Sequence, residues 1–289
     1  MSERLLSRFV RRGQRAMSSA SLRAQRNLLP RRSPRAMHFR QCGGAPSTCA
    51  SLTSVRGAGQ GRRCVILGTS PAVKDIDISL ASSDYVMMLN RAYLLAPRLG
   101  RTPDALVMSN PYAMSEYGAE AMELDWRHVF LSDAVVARAH DLPKSTFAFA
   151  QWEAPRMSDG FFQTDGSKPL YQAGSVAHSA LQIAVWMRFN AIILAGIDLD
   201  FPSEEPHFYS SSNGERARAQ RASRQNQPEM VRGFCVARRQ ISALRSTTVV
   251  NAGISGTANP FPHVEWANLF SASAKSRLGG ELDNHLPAI

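Results

Sequence analysis

Residues 171–209 read YQAGSVAHSALQIAVWMRFNAIILAGIDLDFPSEEPHFY. Val176, Ala180, Ile183, Ala184 and Met187 recur at helical spacing, and Ser175 stands where its hydroxyl can accept from the first free backbone amides. The pattern predicts a helix with one buried stripe. After Arg188-Phe189-Asn190 comes AIILAGI (191–197), an apolar run too short for a second helix and without the alternation of a strand wetted on one face. It predicts a central parallel strand. Parallel sheets place ligands beyond the carboxyl ends of their strands, and this one empties into Asp198, Asp200 and then His207.

Working outward, short apolar runs recur: CVILG (64–68), YVMMLN (85–90), DALVMSN (104–110), RHVFLSD (127–133), STFAFA (145–150) and TTVVNAG (247–253). Strands alternating with helical or loop segments predict an α/β, Rossmann-like, mostly parallel sheet with helices on both faces. The runs end at Gly68-Thr69, Asn90, Asn110, Asp133, Asp198 and Asn251, so small amide and carboxylate groups would ring the edge where such folds bind nucleotides. Each of these residues is also a common cap or turn former, and the ring as a set carries the expectation. The turn Gly68-Thr69-Ser70-Pro71 lets backbone amides approach a phosphate or ribose, or is simply a tight turn. It is neither a dinucleotide fingerprint nor a P-loop.

Composition excludes several classes. The 289 residues are 44% hydrophobic with a formal charge of +11. Residues 1–63 hold fourteen Arg, no Lys and one acid, Glu3, so the positive charge belongs to this stretch and the remainder is slightly acidic. The basic pI therefore predicts no nucleic-acid partner for the folded part. Residues 1–61 read as a disordered Arg-rich tail, with a targeting segment or a start assigned too far upstream as alternatives and peripheral membrane contact as a further role. Residues 62–272 read as the α/β domain, and 273–289 as a frayed end. Four Cys without paired spacing predict a reducing, cytoplasmic setting. No apolar run reaches the roughly 18 to 20 residues needed to cross a bilayer.

Between the strands, QWEAPRMSDGFFQTDGSKPL (151–170) reads as a surface loop of lid or acceptor-binding length. Residues 210–245 carry eight Arg against Glu215 and Glu229. The first half reads as flexible and the second, with Val231, Val236, Ile241 and Leu244, as a helix on the sheet. Its arginines form either a solvated face or a clamp for an anionic substrate. Asp198-Leu199-Asp200 is a DxD at a strand end, where two carboxylates could hold Mg²⁺ or Mn²⁺ against a nucleotide diphosphate; otherwise Asp198 caps the strand and Asp200 faces solvent.

Three blocks in one order, GTSPAVKDID (68–77), LNRAY (89–93) and SVAHSALQIAVWMRFNAIILAGIDLDF (175–201) followed by PHFY (206–209), resemble the bacterial sialyltransferases of lipooligosaccharide synthesis, glycosyltransferase family 42. They also resemble related proteins, some pyrophosphokinase-like, that share the first turn. The resemblance covers roughly residues 63–255. It implies inverting transfer of sialic acid from CMP-sialic acid to a hydroxyl of a glycan acceptor, with a lid, here around residues 203–230, and no obligatory metal. It further implies that Gly68, Thr69, Ser70, Pro71, Asn90 and Asn110 hold the nucleotide, that Ser175 lies near the donor, and that His207 is the general base. An imidazole that titrates near neutral pH suits that task.

The chain departs from the family at two places. Thr69-Ser70 stand where the family has Asn between its glycines, which alters one donor contact. The tyrosine pair that steadies the departing phosphate is missing where expected, leaving Tyr209 or an Arg for that role. Two other readings follow: phosphoryl or pyrophosphoryl transfer with Asp198 and Asp200 on a metal, and a non-catalytic nucleotide-binding relative.

Overall fold

The computed structural model describes residues 49–152, 161–199, 205–253 and 257–271. Its main sheet is built from β1 (Ala50–Ser51), β2 (Arg63–Leu67), β3 (Tyr85–Leu89), β4 (Ala105–Met108), β5 (His128–Ser132), β6 (Thr146–Phe149), β9 (Ala191–Ala195) and β10 (Thr248–Asn251). The spatial order is β1-β6-β5-β4-β3-β2-β9-β10. Every pairing is parallel, with β2 and β9 in register from Arg63 opposite Ala191 to Leu67 opposite Ala195. A small parallel pair, β7 (Gln151–Trp152) with β8 (Leu170–Tyr171), stands apart.

From β2 the chain moves outward through β3, β4 and β5 to β6, then returns to the other side of β2 to lay down β9 and β10. The order reverses between β2 and β9. Such a reversal opens a crevice, because the connections leaving the two neighbouring strands go to opposite faces.

The strands are buried on both faces, which is why they read as unbroken apolar runs. Cys64, Ile66, Tyr85, Met87 and Phe130 pack on one face against the helices α2 (Val176–Trp186) and α3 (Asn213–Leu244). Val65, Leu67, Val86, Met88 and Leu131 pack on the other face with α1 (Pro111–Met122), through Ala121, and with several short turns. The seven strands expected from the sequence are all present, and helices cover both faces.

Three expectations change. The fold starts before residue 62: β1 pairs with β6, Leu52 and Val55 are buried, and the Trp186 indole donates to the Leu52 carbonyl at 2.7 Å. Residues 1–48 and 272–289, including most of the expected tail and frayed end, lie outside the described residues. Helix α2 is buried on every side from Ala177 to Trp186, rather than along one stripe. Its polar residues are paired instead of solvated: Gln182 accepts from the Gln163 and Tyr171 amides and donates to the Tyr171 carbonyl at 2.7 Å, and His178 Nδ1 lies 2.8 Å from that same carbonyl. Finally, residues 213–244 form one helix, with no flexible first half. Ser212 caps it by accepting from the Glu215 amide, and Pro228 sits inside it.

Candidate functional site

The crevice between β2 and β9 is closed at its base by two glycines. Gly68 donates to the Ala195 carbonyl at 2.8 Å and the Ser70 amide to the Gly196 carbonyl at 3.1 Å, so backbone hydrogen bonds join the two strand exits. A Cβ on Gly68 would strike the Gly196 carbonyl, and Gly196 itself sits at φ +66°. Only glycine at both positions allows this approach.

From this base the chain lays out a cavity of about 280 Å³, at the lower end of the size usual for small-molecule sites, roughly 300–1,000 Å³. Of the ten residues proposed from the sequence, nine line it: Gly68, Thr69, Ser70, Asn90, Asn110, Ser175, Asp198, His207 and Tyr209. Pro71 does not line it. It is the first residue of a short helical turn, Pro71–Lys74, in which its fixed φ suits the start of the turn and makes no contact with the cavity.

Cap chemistry places several of the nine. Asn110 accepts from the Tyr112 amide at 3.0 Å and starts α1, with Pro111 following; Ser175 accepts from the Ala177 amide at 3.2 Å and starts α2. Ser70 accepts from the Ala72 amide at 3.3 Å while its hydroxyl donates to Asp198 Oδ2. The starts of α1 and α2 thus open on the cavity, and the positive ends of their dipoles bias it toward anionic groups. Asn90 differs. It holds a left-handed φ of 49°, caps nothing, and its buried Oδ1 has no partner among the described residues. An unsatisfied buried acceptor costs free energy, which a ligand donor would relieve.

His207 closes the other side. Its Nδ1 is 3.0 Å from Thr69 Oγ1, the adjacent Phe208 amide donates to the Thr69 carbonyl at 2.9 Å, and its ring stacks on Tyr209 with centroids 5.1 Å apart and planes 12° from parallel. Burial lowers its pKa below 6.5, opposed by the charge of Glu215 and a hydrogen bond to the Thr69 backbone. The imidazole is therefore neutral at pH 7. Tyr209 donates to Glu215 at 2.6 Å, and burial together with that carboxylate pushes the phenol pKa up. Arg91 lies over two tyrosine rings, 5.1 Å from the Tyr209 centroid and 5.6 Å from that of Tyr117, and pairs with Glu120 at 3.5 Å.

Asp198 is 4% exposed and engaged by Ser70; a Cβ on Gly253 would collide with its Oδ1. Asp200 lies outside the described residues, as do 153–160 of the loop expected to act as a lid and the start of the 203–230 segment. Among the described residues no group of three or more His, Cys, Asp or Glu side chains is placed to hold a metal ion, and no helix is long and apolar enough to cross a membrane.

No family model matches the chain. No curated protein matches it either. Among solved structures it is similar to the MAf glycosyltransferase from Magnetospirillum magneticum AMB-1, with a TM-score of 0.49 and 15% identity over 77% of this chain and 38% of that one. The chain thus spans less than two fifths of that protein's length.

The sequence reading missed Tyr112, Glu116 and Tyr117 on α1, which line the same cavity together with Glu215 and Arg218 of α3. Arg218 donates to Glu116, joining the two helices. Arg91 was in view within LNRAY but carried no role. No local pattern marks these residues, because their meaning comes from the crossing of α1 and α3.

Proposed function

We propose that this cavity transfers a sugar from a nucleotide-activated donor to a glycan hydroxyl, in the manner of the CMP-sialic-acid-dependent enzymes of surface-glycan and lipooligosaccharide synthesis. The observation that carries the reading is His207: a neutral imidazole, held through Nδ1 by the first turn of the fold, at the edge of a cavity lined by helix N-termini. With Nδ1–H donating to Thr69, the Nε2 lone pair is left to act as a base. Thr69 thus orients the ring, at the position where the related enzymes have Asn. The acceptor oxygen bonds to the anomeric carbon as that carbon's bond to the phosphate oxygen breaks; the acceptor proton passes to His207 Nε2, and the nucleotide leaves with the bonding electron pair.

The cavity holds one arginine and no lysine among its lining residues, so the leaving phosphate is met chiefly by the positive dipole ends of α1 and α2. Arg91 stands behind Tyr209 and adds positive potential. The donor nucleotide also supplies an amide or hydroxyl to the unpaired Asn90 Oδ1.

Thermal-shift measurements with CMP, CDP, UDP, GDP and ATP, each with and without Mg²⁺, test the reading. A shift with CMP that is indifferent to Mg²⁺ is expected. Stabilisation only by a diphosphate or ATP together with Mg²⁺ would overturn it in favour of phosphoryl transfer with Asp198 as a metal ligand.

A further inference from the structure

The lining of the cavity divides by exposure. Ser109, Asp198 and Leu199 at its floor are 3, 4 and 5% exposed, whereas Tyr112 is 58% exposed, and the Glu116 and Arg218 side chains are 38 and 34% exposed. The exposed group belongs to α1 and α3, beginning two residues beyond the exposed cap Asn110. Tyr112 is one of three large hydrophobic residues that stand exposed among the described residues, and of these it alone lines the cavity. The Arg138 guanidinium lies 5.9 Å from its ring centroid, which steadies the ring. Four residues along the same face of α1, Glu116 accepts from Arg218 through Oε1, and its Oε2 has no hydrogen-bond partner among the described residues.

From this placement we infer that Tyr112, Glu116 and Arg218 form the acceptor subsite, and that the acceptor is an uncharged sugar presenting neighbouring hydroxyls. The inference rests on the glycosyl-transfer reading of the cavity and names its second substrate. An exposed tyrosine ring at the mouth of a polar cavity offers its electron-rich face to the C–H side of a pyranose. Beside it, a carboxylate–guanidinium pair matches two adjacent hydroxyls, one donating to Glu116 and one accepting from Arg218.

Charge settles the polarity of the acceptor. The charged side chains lining the cavity are Glu116, Asp198, Glu215 and Arg218, three acids to one base, and His207 is neutral. An anionic donor is accommodated by the positive dipole ends of α1 and α2. A second anion at the mouth would meet Glu116 and Glu215, while the one lining cation, Arg218, is paired with Glu116 and the cations beside Tyr112 and Tyr209, Arg138 and Arg91, stand outside the lining.

Saturation-transfer NMR on the full chain in the presence of CMP tests this with methyl galactoside, methyl glucoside and lactose as neutral probes, and methyl glucuronide and sialyllactose as anionic ones. At least one neutral probe is expected to bind, and more tightly than its anionic counterpart. Tyr112→Ala should weaken it about tenfold, consistent with the loss of one aromatic contact, and Tyr112→Phe should retain it. Failure of every neutral probe, preference for an anionic probe, or an unchanged Kd in Tyr112→Ala would overturn the subsite. CMP binding, read in the same samples, separates the two levels. If CMP binds and the glycosides behave otherwise, the subsite alone is wrong; if CMP does not bind, the glycosyl-transfer reading falls with it.

Discussion

The two halves of α3 have similar arginine-rich composition and different physics. Beyond Pro228, Met230, Phe234, Val236, Ala237 and Ile241 are buried in the core against α2 and the sheet. Before it, none of the described side chains from 213 to 227 is buried. That half is held by polar contacts: Glu215 with Tyr209, Arg218 with Glu116, and Gln227 with the Leu199 carbonyl at 3.0 Å. Proline removes one rung of the helix ladder where the two regimes meet. The buried half is anchored by apolar packing, and the polar half supplies the charged side chains of α3, Glu215 and Arg218, that line the cavity.

The largest break in this comparison comes from the buried half. Phe234 is fully buried between His178 and Phe261, and Phe234→Ala is expected to cost about 3–5 kcal/mol in denaturant unfolding. A loss below about 1 kcal/mol would mean that the second half is not anchored as described.

Lowering the pH probes the same region through His178, which is wholly buried with Nε2 3.2 Å from the Gly233 carbonyl. Burial lowers its pKa from 6.5 to about 4, and His128 shifts in the same sense to about 4, also through burial. Below pH 6.5 the unfolded chain takes up protons that the fold refuses. Stability is therefore full above 6.5 and declines as the pH falls towards 4, by up to roughly 3 kcal/mol for the wholly buried His178 and by less for the partly exposed, solvent-screened His128. Urea midpoints at pH 7.0, 5.5 and 4.5 measure the decline, and a smaller slope is expected for His178→Gln.

The smallest effect on stability belongs to the polar half. The Arg218–Glu116 pair is about one-third exposed on each side, so Arg218→Gln should stay within about 1 kcal/mol of the parent chain. Acceptor binding should weaken in the same variant. A stability loss comparable to that of Phe234→Ala would erase the distinction between the halves.

The sheet was legible because a parallel strand buried on both faces leaves an unbroken apolar run, as in AIILA of β9 or YVMML of β3. Its reversal between β2 and β9 was not legible, yet the strand ends Gly68, Asn90, Asn110 and Asp198 were enough to mark the edge that holds the cavity. The wet face expected for α2 failed because Ser179 and Gln182 are polar in type but buried and paired in place. The first half of α3 reads as flexible from sequence because it buries no apolar stripe; its contacts to α1 and Tyr209 are between polar side chains, one of them 102 residues away. For the same reason Tyr112 and Glu116 carried no signal. β1 is two residues long, too short for any periodicity.

A neutral His207 oriented by Thr69 is the base in the proposed transfer. The pH dependence of CMP-sialic acid hydrolysis, with water as acceptor, tests it most directly in the parent chain, His207→Ala and Thr69→Val. The parent chain should hydrolyse the donor at a rate that is level through neutral pH and falls only in acid, once the imidazole, whose pKa burial lowers, takes up a proton. His207→Ala should lose that acid limb and at least about a hundredfold in rate, and Thr69→Val should displace the limb. A parent profile without an acid limb, or an unimpaired His207→Ala, would contradict the claim.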